Sequence, residues 1–382
     1  MNVSIIEPSW RIEKIEWAIL PGKRARAAGL NARRGVHGID VPLQLARITI
    51  AGETGFGWSR ITKQAAQELI GTKVKDVFGS NGTIAANYRS IEYPLMDWFG
   101  NVQGKPVYSL IARNEEREQL LKLPCYDTSL YFDDLHLLEE LAAVELMMAE
   151  AAEGKAQGHI NFKIKVGRGA RYMPLIEGTK RDIAIIHGIR DIAGPDGKLM
   201  IDANNGYNLN LTKQVLKETE GAKLYWLEEA FHEDAELYAD LKAWMQAEGL
   251  NVLVADGEGL AAPPLIQWAK EGVIDVVQYD ILAPGFCFWL DLAPELDASG
   301  VKSAPHSYGT PYGNYALCQV ASAIEGFQFV EWDQIEVAGM DASGYQIDNG
   351  YVTVPSLPGF GLRFDEAYVG RRVQESGWAV GK

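Results

Sequence analysis

Residues 198–207 read KLMIDANNGY. Leu199, Met200 and Ile201 form an apolar run of strand length, and it ends at once in an acid, Asp202, and an amide-rich turn. A short apolar run with a polar tip is the pattern of a buried parallel strand whose C-terminal end faces a site. The same pattern recurs in FKIKVG (162–167), WLEEAF (226–231) and VADGEG (254–259). Two lysines and three acids therefore stand at the ends of four successive strand-like runs.

Working outward, strand-like and helix-like segments alternate from residue 124 onward. Strands are expected at 124–132, 160–166, 199–203, 224–229, 251–256, 274–280, 301–306 and 327–332, with helix-length segments between them. Eight strands with helical spacers predict an α/β fold of the TIM-barrel type. An open doubly wound sheet also alternates, but it rarely carries polar residues at so many strand ends. Residues 1–123 read differently: a strand meander (11–20, 42–51, 55–60) and then helices near 62–70, 84–100 and 105–112, which predicts a separate α+β domain. The first two strands of that meander are separated by a stretch rich in Gly and Arg, read as a loop. The barrel is expected to span 124–335, and residues 336–382, rich in Gly and Pro turns, to pack back on the N-terminal domain.

Composition excludes several classes. The 382 residues are 47% hydrophobic and 23% charged, ordinary for a globular protein. No apolar run approaches membrane-spanning length and the N-terminal stretch lacks a signal-peptide pattern, so a cytoplasmic protein is expected. Cys125, Cys287 and Cys318 lack metal-site spacing and suit reduced thiols. A formal net charge of −15 argues against nucleic acid as a partner. Against that background, Lys23, Arg24, Arg26, Arg33, Arg34 and His37 form a basic stretch with no acid among them. It is either a solvated loop or a contact for a small anionic ligand.

The strand ends, taken in order, carry Lys163 and Lys165, Asp202, Glu228, Glu258, Asp280, His306 and Glu331. Buried charge is costly unless paired, so ionisable groups converging on one barrel face point to a site. Asp202, Glu228 and Glu258 are spaced 26 and 30 residues apart, about one strand–helix unit each. Three converging carboxylates need a divalent cation, and an all-oxygen set points to Mg2+. Within VADGEG either Asp256 or Glu258 fits; flanking glycines favour Glu258. Strand alternation turns only one of Glu228 and Glu229 inward, and Glu228 is preferred. Lys163 and Lys165, two apart, face the same way, and mutual repulsion beside a metal would lower their pKa and yield a lysine base. Asp280 orients His306 as an acid or base, and Glu331, if protonated, would donate a hydrogen bond to developing negative charge.

The ordered motifs FKIKVG, MIDANNGY, WLEEAF, VADGEG, VVQYDI, APHSYG and FVEW resemble the mandelate racemase branch of the enolase superfamily, whose sites pair a Lys or His base with Mg2+. The resemblance covers nearly the whole chain. It implies a modified (β/α)7β barrel with a capping domain, and Asp202, Glu228 and Glu258 as Mg2+ ligands. It further implies Lys165 as base on one face, Lys163 on the substrate carboxylate, a His306–Asp280 dyad on the other face, and Glu331 against the enediolate. Two departures stand out. Ala230 replaces the family's usual proline, and the step from Glu228 to Glu258 is longer than usual.

The resemblance implies an acid-sugar dehydratase, a lyase that removes the proton α to a carboxylate and expels the β-hydroxyl as water to give a 2-keto-3-deoxy acid. The substrate would be a small-molecule carboxylate, a sugar acid, contacted by Arg24, Arg26, His37 and Asn204. A racemase or epimerase is the alternative, because bases on two faces also allow proton return from the other side. A non-catalytic ligand-binding barrel is a third reading, opposed by the intact set of ionisable groups. Family members are commonly even-numbered homo-oligomers, and the same is expected here.

Overall fold

The computed structural model describes residues 3–79, 82–113 and 121–382. Strand Ile12–Leu20 lies between Leu43–Ile50 and Trp378–Gly381, and Glu53–Trp58 completes this antiparallel sheet. Ile15, Leu43, Leu45, Ile48 and Ile50 are buried in this sheet, and helix Glu92–Gln103 packs on it chiefly over the edge strand Glu53–Trp58. The strand–helix contact is close because it runs over Gly55 and Gly57. A Cβ at Gly55 would lie 2.2 Å from the Pro94 carbonyl oxygen.

Residues 22–28, expected as loop, form a strand. Gly22–Ala28 pairs with Gly38–Asp40 on one side and Ile335–Val337 on the other. The reason it escapes a hydrophobicity reading is that its inward residues are Arg24 and Arg26, whose burial is made tolerable by acids rather than by apolar neighbours.

The barrel follows. Parallel strands Lys122–Leu130, Phe162–Lys165, Leu199–Asp202, Leu224–Glu228, Leu253–Asp256, Val276–Val277 and Lys302–Ser303 pair in sequence order. Ser303 then bridges Phe327, and Val330–Trp332 pairs with the first strand, which closes the ring of eight. Seven helices separate the strands: Glu140–Ala156, Leu175–Ala193, Leu209–Glu218, Ala235–Glu248, Leu265–Lys270, Phe286–Ala298 and Gly313–Val320. None follows directly after the eighth strand. The (β/α)7β barrel with an N-terminal α+β layer is the observed architecture. No helix among the described residues is long and apolar enough to cross a membrane.

Inside the barrel, Tyr126, Met200, Trp226, Ala255, Val276, Ala304 and Phe329 form an apolar plug. Side chains two residues further along a strand point the same way. The next inward layer is therefore set by sequence: Thr128, Lys165 (above Lys163), Asp202, Glu228, Gln278, His306 and Glu331. Apolar floor and ionisable rim come from one period-2 pattern.

The N-terminal layer is fastened to the barrel by Glu92, 3% exposed, whose carboxylate accepts the N–H groups of Phe286 and Cys287, each at 2.9 Å. These are orphan donors at a helix start. Glu92→Ala should cost about 2–5 kcal/mol by stranding two buried N–H groups. A thermal melt followed by circular dichroism should show a lowered midpoint, partly restored in Glu92→Gln; a wild-type melt for Glu92→Ala would refute this account of the fastening.

Candidate active site

The rim layer converges. Asp202, Glu228 and Glu258 present carboxylate oxygens that all lie within 4.8 Å of one another. Lys163 Nζ sits 2.7 Å from Glu228 Oε1 and 2.9 Å from Glu331 Oε1, and Lys165 pairs with Asp202. Across the trio, His306 Nε2 lies 3.0 Å from Glu258 Oε2, and its Nδ1 lies 2.6 Å from Asp280 Oδ1. Lys165 thus flanks the trio on the Asp202 side and the His306–Asp280 pair flanks it on the Glu258 side.

The two open choices resolve by strand geometry. Asp256 alternates out of the barrel, where the Tyr238 hydroxyl of the outer helix donates to it at 2.8 Å. Glu258 reaches the trio because the chain turns through Gly257 (φ 130°) and Gly259 (φ 65°), conformations open to glycine. Glu229, one residue past Glu228, lies outside the trio and accepts from Asn204 Nδ2 at 2.9 Å and Asn205 Nδ2 at 3.3 Å. Asn204, Asn205 and Glu229 hold φ of 43°, 62° and 44°, a strained run for residues bearing a Cβ, tolerated best by Asn.

The electrostatics differ in two respects from the sequence reading. Burial alone would discharge Lys163 and Lys165, but Glu228 and Glu331 around the first and Asp202 beside the second outweigh it and raise both above the ordinary lysine value. The two lysines are held charged because carboxylates, not each other, are their nearest partners. Glu331 is likewise ionised rather than protonated. Burial would raise its pKa, yet Lys163, His306 and the Ser307 N–H bring it down to about 2. Thr128 Oγ1 donates to it at 2.7 Å and the Ser307 N–H at 2.9 Å, so its surroundings supply donors. His306 follows the same logic in reverse: burial disfavours its charge, but Glu258, Glu331 and Asp280 hold its pKa well above that of free imidazole.

A cavity of about 110 Å³ opens above the trio, lined by Lys165, Asn204, Glu258, Asp280 and His306 from the barrel and by Asn31, Arg33, Arg34 and His37 from the N-terminal layer. Asn204 and His37 are brought to it; Arg24 and Arg26 are not. Strand Gly22–Ala28 turns both of these arginines toward acids. Arg24 is bidentate on Asp333 at 3.0 and 2.8 Å, and Arg26 meets Glu150 at 3.3 Å and Glu153 at 2.6 Å. Tyr131 and Tyr308 also line the cavity and were not singled out from sequence. Their signal was available: Tyr131 follows the first barrel strand, and Tyr308 lies two residues after His306. His37 packs edge-on against both rings, and burial followed by the charges of Lys165, Arg24 and Arg34 lowers its pKa to about 4.

The donor set suits Mg2+. It is all oxygen, it comes from three neighbouring strands, and Asp202 and Glu228 are at most 1% exposed. Trp226 Nε1 and Gln278 Nε2 orient Glu228 Oε2 from outside, at 3.1 and 2.9 Å. Replacing Asp202, Glu228 or Glu258 by its amide should weaken Mg2+ binding by at least the roughly 10–100-fold that loss of a group supporting a ligand costs, whereas Asp256→Asn should not. Calorimetric titration of the four variants checks this, and loss of binding in Asp256→Asn alone would reverse the choice of third ligand.

Comparison with known proteins is consistent with this geometry. The pattern of enolase C-terminal domain-like proteins matches residues 146–368. A crystal structure of galacturonate dehydratase from Geobacillus sp., complexed with D-galacturonate and 5-keto-4-deoxy-D-galacturonate, is 55% identical, covers 98% of this chain and 100% of that one, and superposes with a TM-score of 0.96. A mandelate racemase/muconate lactonizing protein from Geobacillus sp., complexed with magnesium/tartrate, is 54% identical over 100% of both chains, with a TM-score of 0.99. Arabinonate dehydratase of Saccharolobus solfataricus is 24% identical over 292 residues, 74% of this chain and 71% of that protein. The chain belongs to the enolase superfamily, in its mandelate racemase/muconate lactonizing branch.

Proposed function

We propose that this protein is a magnesium-dependent hydro-lyase that dehydrates a sugar acid, with a hexuronate of the galacturonate kind as substrate. The observation that carries the reading is the placement of Lys165 and of His306–Asp280 on opposite flanks of one carboxylate trio. Identity of 55% to galacturonate dehydratase across nearly the whole chain supports the uronate assignment. Three buried free cysteines fit a reducing compartment, and we assign the protein to the cytoplasm.

When bound, Mg2+ supplies positive charge against the substrate carboxylate and so acidifies its α-proton. The chain's own residues do the rest. Lys163, fixed between Glu228 and Glu331, presents an ammonium to the same carboxylate. Lys165 takes the α-proton once Asp202 gives up its pairing with the ammonium. His306, kept protonated by Asp280 and Glu331, delivers a proton to the departing β-hydroxyl. Asn204, whose amide oxygen has no partner among the described residues, and the neutral His37 offer hydrogen bonds to the sugar hydroxyls.

The test is incubation of the magnesium-loaded enzyme with galacturonate and other sugar acids in deuterated water, with keto-acid formation and α-proton exchange read together by proton NMR. Keto-acid is expected. Lys165→Met and His306→Asn should each lower kcat by about 10²–10⁴-fold. Exchange at the α-carbon without keto-acid would instead make the protein a racemase or epimerase, the reaction that two opposed bases also allow.

A further inference from the structure

The cavity above the trio is one lobe of a larger cleft. A second lobe of about 290 Å³ adjoins it, and the two share Arg34, Asp280, His306 and Tyr308 as a common wall. The outer lobe is lined on its far side by Trp58, Arg60, Leu282 and Thr310. It is the more spacious of the two, so a unit at least as large as the one seated over the trio fits beside it.

Its charge is specific. Arg60 lies over the Trp58 ring, 5.2 Å from the centroid, and its Nε donates to Gln44 Oε1 at 3.2 Å. Neither Arg60 nor Arg34 forms an ion pair with a carboxylate among the described residues, in a chain of net charge −15. The acid on this wall, Asp280, is already engaged, by His306 on Oδ1 and by the Gly259 N–H on Oδ2. Two uncommitted guanidinium groups at the exit of a carboxylate-binding site are suited to a second carboxylate.

Chemistry says which molecule carries one there. In a uronate the reacting bonds lie at C5 and C4, next to the C6 carboxylate, and C1 is on the opposite side of the ring. A substituent at C1 therefore projects away from the trio. Resting on the dehydratase reading above, we propose that the outer lobe is a subsite for a second uronate unit, so that the enzyme also dehydrates the non-reducing end of a short uronide. The C5–H bond breaks to an active-site base, its electrons form the C4–C5 double bond, and the C4 hydroxyl leaves with a proton as water. C5 of a linked unit carries the ring oxygen, so the reaction stops at a 4,5-unsaturated uronide and one water. No further reactant is needed.

The experiment compares free galacturonate, its methyl glycoside, the 1,4-linked di-uronide and galactarate with the magnesium-loaded enzyme, and follows the conjugated double bond by ultraviolet absorbance and the products by NMR. The di-uronide should be dehydrated with kcat/KM about tenfold or more above the methyl glycoside, the gain expected from a charged hydrogen bond. In Arg60→Gln that ratio should fall toward one. Turnover of free galacturonate with neither glycoside, or a ratio near one in wild type, or a ratio that survives Arg60→Gln, overturns the inference and leaves the dehydratase reading intact. Arg60-dependent turnover of galactarate without the di-uronide overturns it too, by showing that the second carboxylate belongs to the far end of an aldarate. If no sugar acid loses water, both fall.

Discussion

Four carboxylates and three cations, all buried except the half-buried Glu258 and His306, share the barrel mouth, and the rest of the molecule is arranged to keep them paired. Asp202, Glu228, Glu258 and Glu331 face Lys163, Lys165 and His306, and each cation touches at least one acid. A buried ion pair adds little net stability, but removing one partner leaves an uncompensated charge that costs about 3–5 kcal/mol. The site is therefore a single electrostatic unit. Its members are held by contacts that approach from outside the unit: Trp226 and Gln278 on Glu228, Thr128 and the Ser307 N–H on Glu331.

That balance extends into the N-terminal layer. Arg33 reaches Glu229 at 3.6 Å, across from the two asparagines that fix Glu229 in its strained turn. Tyr308 leans on Arg24, whose guanidinium lies 4.7 Å from the ring centroid while it grips Asp333 beyond the last barrel strand. The wall of the cavity over the trio is thus built from both parts of the chain. Neither arginine that the sequence reading set against substrate is spare; one supports a tyrosine and the other pairs with Glu150 and Glu153.

The barrel and its rim were legible because one rule produces both. With period 2, a strand that buries Met200 inward must present Asp202 inward, and the same holds for Trp226 with Glu228 and Phe329 with Glu331. The N-terminal arginines were misread because the same rule was hidden. In Gly22–Ala28 the residues facing inward are long cations, and the acids that satisfy them, Glu150 and Asp333, come from distant parts of the sequence. Proton states were illegible for a similar reason. Two lysines side by side look mutually repelling until the carboxylates between them are located.

Those proton states give the two flanks different chemistry on the proposed reading. Lys165 has one close carboxylate partner, Asp202, and that partner belongs to the trio. Were Asp202 engaged as a metal ligand, Lys165 would lose the contact that keeps its proton. His306 also touches the trio, through Glu258, but its other two acids, Asp280 at 2.6 Å and Glu331 at 3.6 Å, do not belong to it. Engagement of the trio would thus free a proton acceptor on one flank and leave a proton donor on the other. An α-proton taken by Lys165 and a β-hydroxyl released past His306 is the order of events this asymmetry favours.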